Sequence, residues 1–322
     1  KGVSAFALAM FLGIAYAASV GGLATPIGTP PNLVFLGVYH ETFPDRPPIT
    51  FGDWMMMAAP LVALLIPTIW FVLTRIVTKV PPELPVAAKP LLLEELRGLG
   101  PISRDERKVG LVFVAMAALW ITRKIKIGGG EVIGWAPALG IDAFVDDSTV
   151  AVVGALTLFV LPSTTQRGQR LMNWDTAKRI PWEVVLLFGG GISLADAFKH
   201  SGLSTAVAEA LTGLGGLPAI VLIATIALSV TFLTEVTSNT ATSTILMPVL
   251  AAFATAAGLA PELVMVPAVL SASCAFMLPV ATAPNAIVYG SGRVPIRAMV
   301  RAGIGLNLIG AAAITLWCYA TL

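Results

Sequence analysis

Nine of the eleven residues from Thr234 to Thr244 carry a hydroxyl, amide or carboxylate, and strongly apolar runs flank them at 217–233 and 245–257. Polar groups at such a depth need partners, because hydrocarbon offers none. If Ser and Thr only glued helices together they would be scattered along the run. Their clustering instead predicts a helix that breaks and restarts as a re-entrant hairpin centred on Ser238, Asn239 and Thr240. Neutral hydroxyl, amide and unwound carbonyl oxygens are hard donors suited to an alkali cation rather than to zinc or copper. The free N–H groups of a restarting helix suit an anion.

A second candidate is a repeated turn. Pro26, Thr29, Pro31, Asn32 and Gly37 recur without a gap as Pro279, Thr282, Pro284, Asn285 and Gly290, at a constant offset of 253. Proline ends a helix and removes a backbone donor, so both stretches predict broken membrane helices. Breaks in matching positions of two halves are the strongest sequence pointer to a midplane binding site in a transporter. The second break lies about forty residues after the Ser238–Thr240 hairpin. By the same logic a partner hairpin is expected before Lys1.

These sites need membrane helices to hold them. The chain is 57% hydrophobic and 12% charged over 322 residues, a balance that points to an all-α polytopic membrane protein. Its net charge of +2 carries no message about nucleic acid. Apolar spans are expected at 3–20 with 33–38, 54–76, 109–121, 149–161, 182–198, 263–280 with 286–289, and 304–319. Residues 77–107 read as a charged connector with a short interfacial helix at 91–99 and a capping box opening at Ser103. A Gly-rich loop is expected at 128–134 and an amphipathic stretch at 203–214. If the first run starts in the cytoplasm and the hairpin re-enters from the far side, fifteen of the twenty Lys and Arg fall on the cytoplasmic side. That bias fits the positive-inside rule and supports the re-entrant assignment, and the fold expected is an inverted repeat. The resulting segments are 1–80 (first broken helix and following span), 81–107 (cytoplasmic connector), 108–200 (scaffold helices), 201–216 (amphipathic arm) and 217–322 (hairpin, second broken helix, last span).

Other reactive residues fit no catalytic pattern. His40 and His200 fall in expected loops, and Cys274 and Cys318 lie in apolar runs where thiols pack. Glu235 is an acidic residue deep inside an apolar segment. It either balances a cation or carries a proton, or it bonds the hairpin backbone. An intramembrane hydrolase with Ser238 as nucleophile needs a base, and no His, Lys or paired Asp lies in an apolar run. A channel would favour a continuous polar pore over two isolated breaks. Gly189–Gly191 admits either close helix packing or a ligand, with packing the expected use.

The hairpin Thr-Glu-Val-Thr-Ser-Asn-Thr-Ala (234–241), the turn Gly-Thr-Pro-Pro-Asn (28–32) and the segment 273–288 closely resemble the divalent anion/sodium symporter family. The resemblance covers essentially the whole chain. It implies an elevator-type, usually homodimeric carrier in the cell inner membrane that moves C4-dicarboxylates (succinate, malate, fumarate), citrate or sulfate, mostly with sodium ions. An exchanger of the same fold is the related alternative. Ser238, Asn239, Thr240, Thr282 and Ala283 would contact the dianion. Thr234, Thr237, Asn239 and Ala281 would surround one sodium, and Gly28 would help to complete another with the hairpin expected before Lys1. Thr29, Pro30, Pro31, Asn32, Pro284 and Asn285 would shape the turns. Ala283 departs from the family's usual Pro-Pro, which bears on substrate choice. Apart from Arg75 at the end of the span 54–76, no Lys or Arg falls in an apolar run, so the anion's charge must be met by helix N-termini and bound cations.

Overall fold

A computed structural model of the chain describes residues 4–80, 88–127, 131–166, 168–180, 182–202, 206, 213 and 216–322. The amphipathic stretch expected at 203–214 lies, apart from residues 206 and 213, outside them. Five of the described helices are long and apolar enough to cross a membrane: Ala5–Ala24, Phe51–Val77, Ala219–Val236, Asn239–Ala257 and Ile296–Thr321. The chain groups into two compact units.

The first unit comprises residues 1–49, 54–80 and 183–322. Its helices are α1 (Ala5–Gly21), α2 (Pro30–Thr42), α3 (Phe51–Phe71, whose first turn groups with the other unit), α9 (Trp182–His200), α10 (Ala219–Val236), α11 (Asn239–Ala257), α12 (Pro261–Ala272), α13 (Ala283–Gly290) and α14 (Ile296–Thr321). Helix α9, grouped with 108–200 in the sequence reading, here falls with this unit. Helix α12 is the hub. It packs against α2, α10, α11 and α14, and residues Val264–Ala272 are all buried. That burial follows from a sequence apolar on every face. The two broken helices interlock crosswise, α1 with α13 and α2 with α12, and α2 also packs on the hairpin's second helix α11. Trp54, Tyr16, Tyr39 and Phe35 are the largest fully buried side chains. Gly191 meets the hairpin's second helix so closely that a Cβ would lie 2.8 Å from Thr244 Cγ2. Of the triple glycine only Gly191 makes the expected close contact; a Cβ on Gly189 or Gly190 would meet nothing within 4 Å among the described residues.

The second unit comprises residues 50–53 and 81–182. Here α4 (Ala88–Gly98), α5 (Arg104–Arg123), α6 (Trp135–Ala138), α7 (Asp147–Val160) and α8 (Trp174–Ala177) are helical. The expected capping box is present: Ser103 Oγ accepts from Glu106 N, and Glu106 Oε2 accepts from Ser103 N at 2.6 Å. A matching box opens α7 at Asp146. Asp105 accepts from the hydroxyls of Ser163 and Thr164 and from two backbone N–H groups. These donors hold its carboxyl well below the usual range. Arg123, 8% exposed, pairs with Asp147 at 2.7 Å.

Three expectations need correction. Residues 131–133 of the expected Gly-rich loop form a strand, β2 (Glu131–Ile133), paired antiparallel with β1 (Ile125–Ile127), while 128–130 lie outside the described residues. The β-branched residues on both sides of the glycines account for it. His40 and His200 close the ends of α2 and α9 rather than sitting in loops. Residues 273–280 are unwound, although their apolar sequence predicts that the helix continues to Val280.

Candidate functional site

The hairpin breaks where its sequence turns polar. Helix α10 ends at Val236, Thr237 and Ser238 are extended, and α11 restarts at Asn239 with Ser238 as its N-cap. Ser238 Oγ accepts from Ala241 N at 3.1 Å. Thr234 Oγ1 donates to Asn239 Oδ1 at 2.7 Å, with the Ala272 carbonyl 3.0 Å away. Small hydroxyl and amide groups thus satisfy part of the backbone that the break exposes.

The two other breaks, Gly22–Thr29 and Ser273–Thr282, are built alike. Asn32 Nδ2 donates to Gly22 O and Thr25 O, at 3.2 and 2.9 Å. Its repeat partner Asn285 Nδ2 donates to Ala275 O and Leu278 O, at 3.0 and 3.1 Å. Those four carbonyls are themselves related by the offset of 253. So are the turn bonds Gly28 N to Thr25 O and Ala281 N to Leu278 O. A carbonyl in each break is closed by an aromatic donor: Trp54 Nε1 to Leu23 O at 2.9 Å, and Tyr16 OH to Phe276 O at 2.7 Å. Both Asn side chains are fully buried. The asparagines expected to shape the turns therefore act as clips on unwound carbonyls, which buried backbone requires.

A cavity of about 370 Å³ opens between these breaks. The first break contributes Gly28, Thr29 and Pro30, and the hairpin contributes Ser238, Asn239 and Thr240. The second break adds Ala281, Thr282, Ala283 and Pro284. Three further lining residues, Ala18, Ser19 and Ser273, escaped the sequence reading because they sit in apolar runs. Thr234, Pro31, Asn32 and Asn285 stand behind the lining. Thr237 also lies off it, its hydroxyl held by Leu233 O and Thr242 Oγ1.

The lining has an electrostatic order. Three helices start at the cavity: α2 after Thr29, α11 after Ser238 and α13 after Thr282. Each brings a positive dipole end. Among the described residues the N–H groups of Asn239, Thr240 and Ala283 make no hydrogen bond, so the hairpin and second break also present donors. Proline at residues 30 and 31 removes the corresponding donors from α2. Helices also end here, α1 just past Ser19 and α12 just before Ser273. Their carbonyl ends suit a cation. The lining holds neither a basic nor an acidic side chain.

Glu235, at 3% exposure, sits in the last turn of α10, where the helix dipole disfavours a negative charge. Its carboxylate does bond a backbone, but that of the second break rather than of the hairpin. Oε1 accepts from Phe276 N, Met277 N and Asn307 Nδ2 at 2.7, 2.8 and 2.7 Å, and Oε2 accepts from Leu278 N at 2.8 Å. Asn307 passed unremarked in the sequence; a single amide in the span 304–319 was the available signal.

The family model described as "Sodium:sulfate symporter transmembrane region" matches residues 7–321. The sodium-dependent dicarboxylate transporter SdcS of Staphylococcus saprophyticus is 37% identical over 320 residues, covering 99% of this chain and 60% of that protein. SdcS from Staphylococcus aureus strains RF122 and MSSA476 is 38% identical over 318 residues, covering 98% of this chain and 59% of each relative. The chain spans about 60% of the length of these curated relatives.

Proposed function

Because this multi-pass chain belongs to the family of the sodium:sulfate symporter transmembrane region, we propose that it forms the binding core of a sodium-coupled carrier for a divalent anion. A C4-dicarboxylate such as succinate, malate or fumarate is the proposed substrate. The observation that carries this reading is the uncharged cavity bounded by three helix starts and two helix ends. A dianion there meets about half a positive charge per helix N-terminus, less than two full charges and without a basic side chain. A cation on the carbonyl side supplies the remainder, so each ligand raises the affinity for the other. The relatives named sodium-dependent dicarboxylate transporters support the same pairing.

In this reading Ser238, Asn239, Thr240, Thr282 and Ala283 hold the carboxylates through hydroxyls, amide and free N–H groups. Thr234, Thr237, Asn239 and Ala281 surround one sodium, and Gly28 serves another. Residues 1–80 and 217–322 form the moving part of an elevator, with 108–200 as its scaffold, 81–107 as the cytoplasmic connector and 201–216 as the arm. The carrier works as a homodimer in the cell inner membrane. A second reading, sulfate as substrate, is favoured by the description of the matching family model.

The test is uptake by the intact protein in liposomes, across succinate, citrate and sulfate, with and without an inward sodium gradient. Succinate uptake is expected to rise steeply with the gradient. Uptake indifferent to sodium and driven by internal dicarboxylate would show exchange instead.

A further inference from the structure

The peptide at Phe276 is held from three helices. Its N–H donates to Glu235 Oε1 on α10 at 2.7 Å and lies 3.1 Å from Asn307 Oδ1 on α14. Its carbonyl accepts from Tyr16 OH on α1. Helix α14 also presses its backbone against this peptide, since a Cβ on Gly303 would lie 2.3 Å from Phe276 O. Asn307 is fully buried, and its amide donates back to Glu235. The pair is thus closed on itself and on the unwound segment Phe276–Leu278.

That segment lies between two residues of the cavity lining, Ser273 and Ala281, while neither Glu235 nor Asn307 lines it. A buried carboxylate persists only where strong donors surround it, and here three of its four donors are backbone N–H groups of the unwound segment. Resting on the carrier reading above, we propose that Asn307 and Glu235 are positioning residues. They fix the second break against α10 and α14, and so hold the oxygens around Ser273 and Ala281 where a cation can use them. Asn307 orients the carboxylate and shares the Phe276 N–H. It touches neither substrate nor ion.

The test uses the intact protein in liposomes. Asn307→Ala leaves Glu235 one donor short and is expected to raise the sodium concentration for half-maximal uptake about tenfold, the loss from one or two buried hydrogen bonds. The maximal rate should change much less. Asn307→Asp sets two buried carboxylates against each other and should abolish uptake. Adding Glu235→Gln to Asn307→Asp restores one carboxylate and one amide, and half-saturation should return to within about threefold of the parent. Parent-like sodium dependence in Asn307→Ala would overturn the proposal. So would a folded double variant no better than Asn307→Asp alone. Amide hydrogen exchange on the parent needs no variant: the N–H groups of residues 276–278 should be protected about a thousandfold or more, and free-chain exchange rates would refute the clamp. A parent indifferent to sodium would defeat the carrier reading instead, and exchange at 276–278 would still decide the clamp.

Discussion

The two breaks share their clips and differ in what fills the turn. In the first, Gly22 and Gly28 cross backbone to backbone: a Cβ on Gly28 would lie 2.3 Å from Gly22 O. Residues 22–24 then coil into a 3-10 turn that satisfies part of its own backbone. In the second, the equivalents are Ala275 and Ala281, whose Cβ groups forbid so close a crossing, and its N–H groups turn to Glu235 and Asn307. At equivalent positions 54 and 307 the last partner is a tryptophan donor in one half and an asparagine in the other. The same topology is therefore stabilised from within in one half and from its neighbours in the other. Local backbone shape should govern the first break, and side chains remote in sequence the second.

Replacing a clip should do the most damage. Asn285→Ala strands two buried carbonyls, each costing about 1–3 kcal/mol, and so should lower the unfolding temperature markedly and abolish uptake. Asn32→Ala should do the same; a mild effect at one site alone would show that the clips are not equivalent. Next in size, Gly28→Ala should cut uptake about tenfold or more, because its Cβ meets backbone rather than a flexible side chain. Ala281→Gly should be nearly neutral, and equal losses at the two positions would contradict the difference in closeness. The smallest effect concerns the helix starts. Ala283→Pro removes the N–H that the first break already lacks at Pro30, and should raise the dicarboxylate KM about three- to tenfold, one hydrogen bond's worth. It should also change the ranking of succinate, citrate and sulfate. An unchanged ranking would take Ala283 out of substrate choice.

The hairpin and the repeat were legible because their chemistry is local. Nine polar residues in eleven, and Pro and Asn at a fixed offset, announce a break wherever they lie in an apolar run. The unwinding of 273–280 was not. Cys274 to Leu278 read as ordinary helix, and what opens them is Glu235, Asn285 and Asn307, placed 7 to 43 residues away along the chain. Ser19 and Ser273 were hidden for the same reason: one hydroxyl in an apolar run gives no sign of facing a cavity. The role of Glu235 was legible only as a choice between ion and backbone. The geometry adds which backbone.

The uncharged lining has one more consequence. Ser, Thr, Asn, Gly, Ala and Pro neither gain nor lose a proton in the physiological range, so acidity leaves the cavity wall unchanged. It acts instead on the proposed dicarboxylate cargo, whose carboxylates protonate as the medium is acidified. A plot of uptake against the concentration of fully ionised substrate should then follow one curve at every pH, with the molecule selecting a charge state that the solution alone sets.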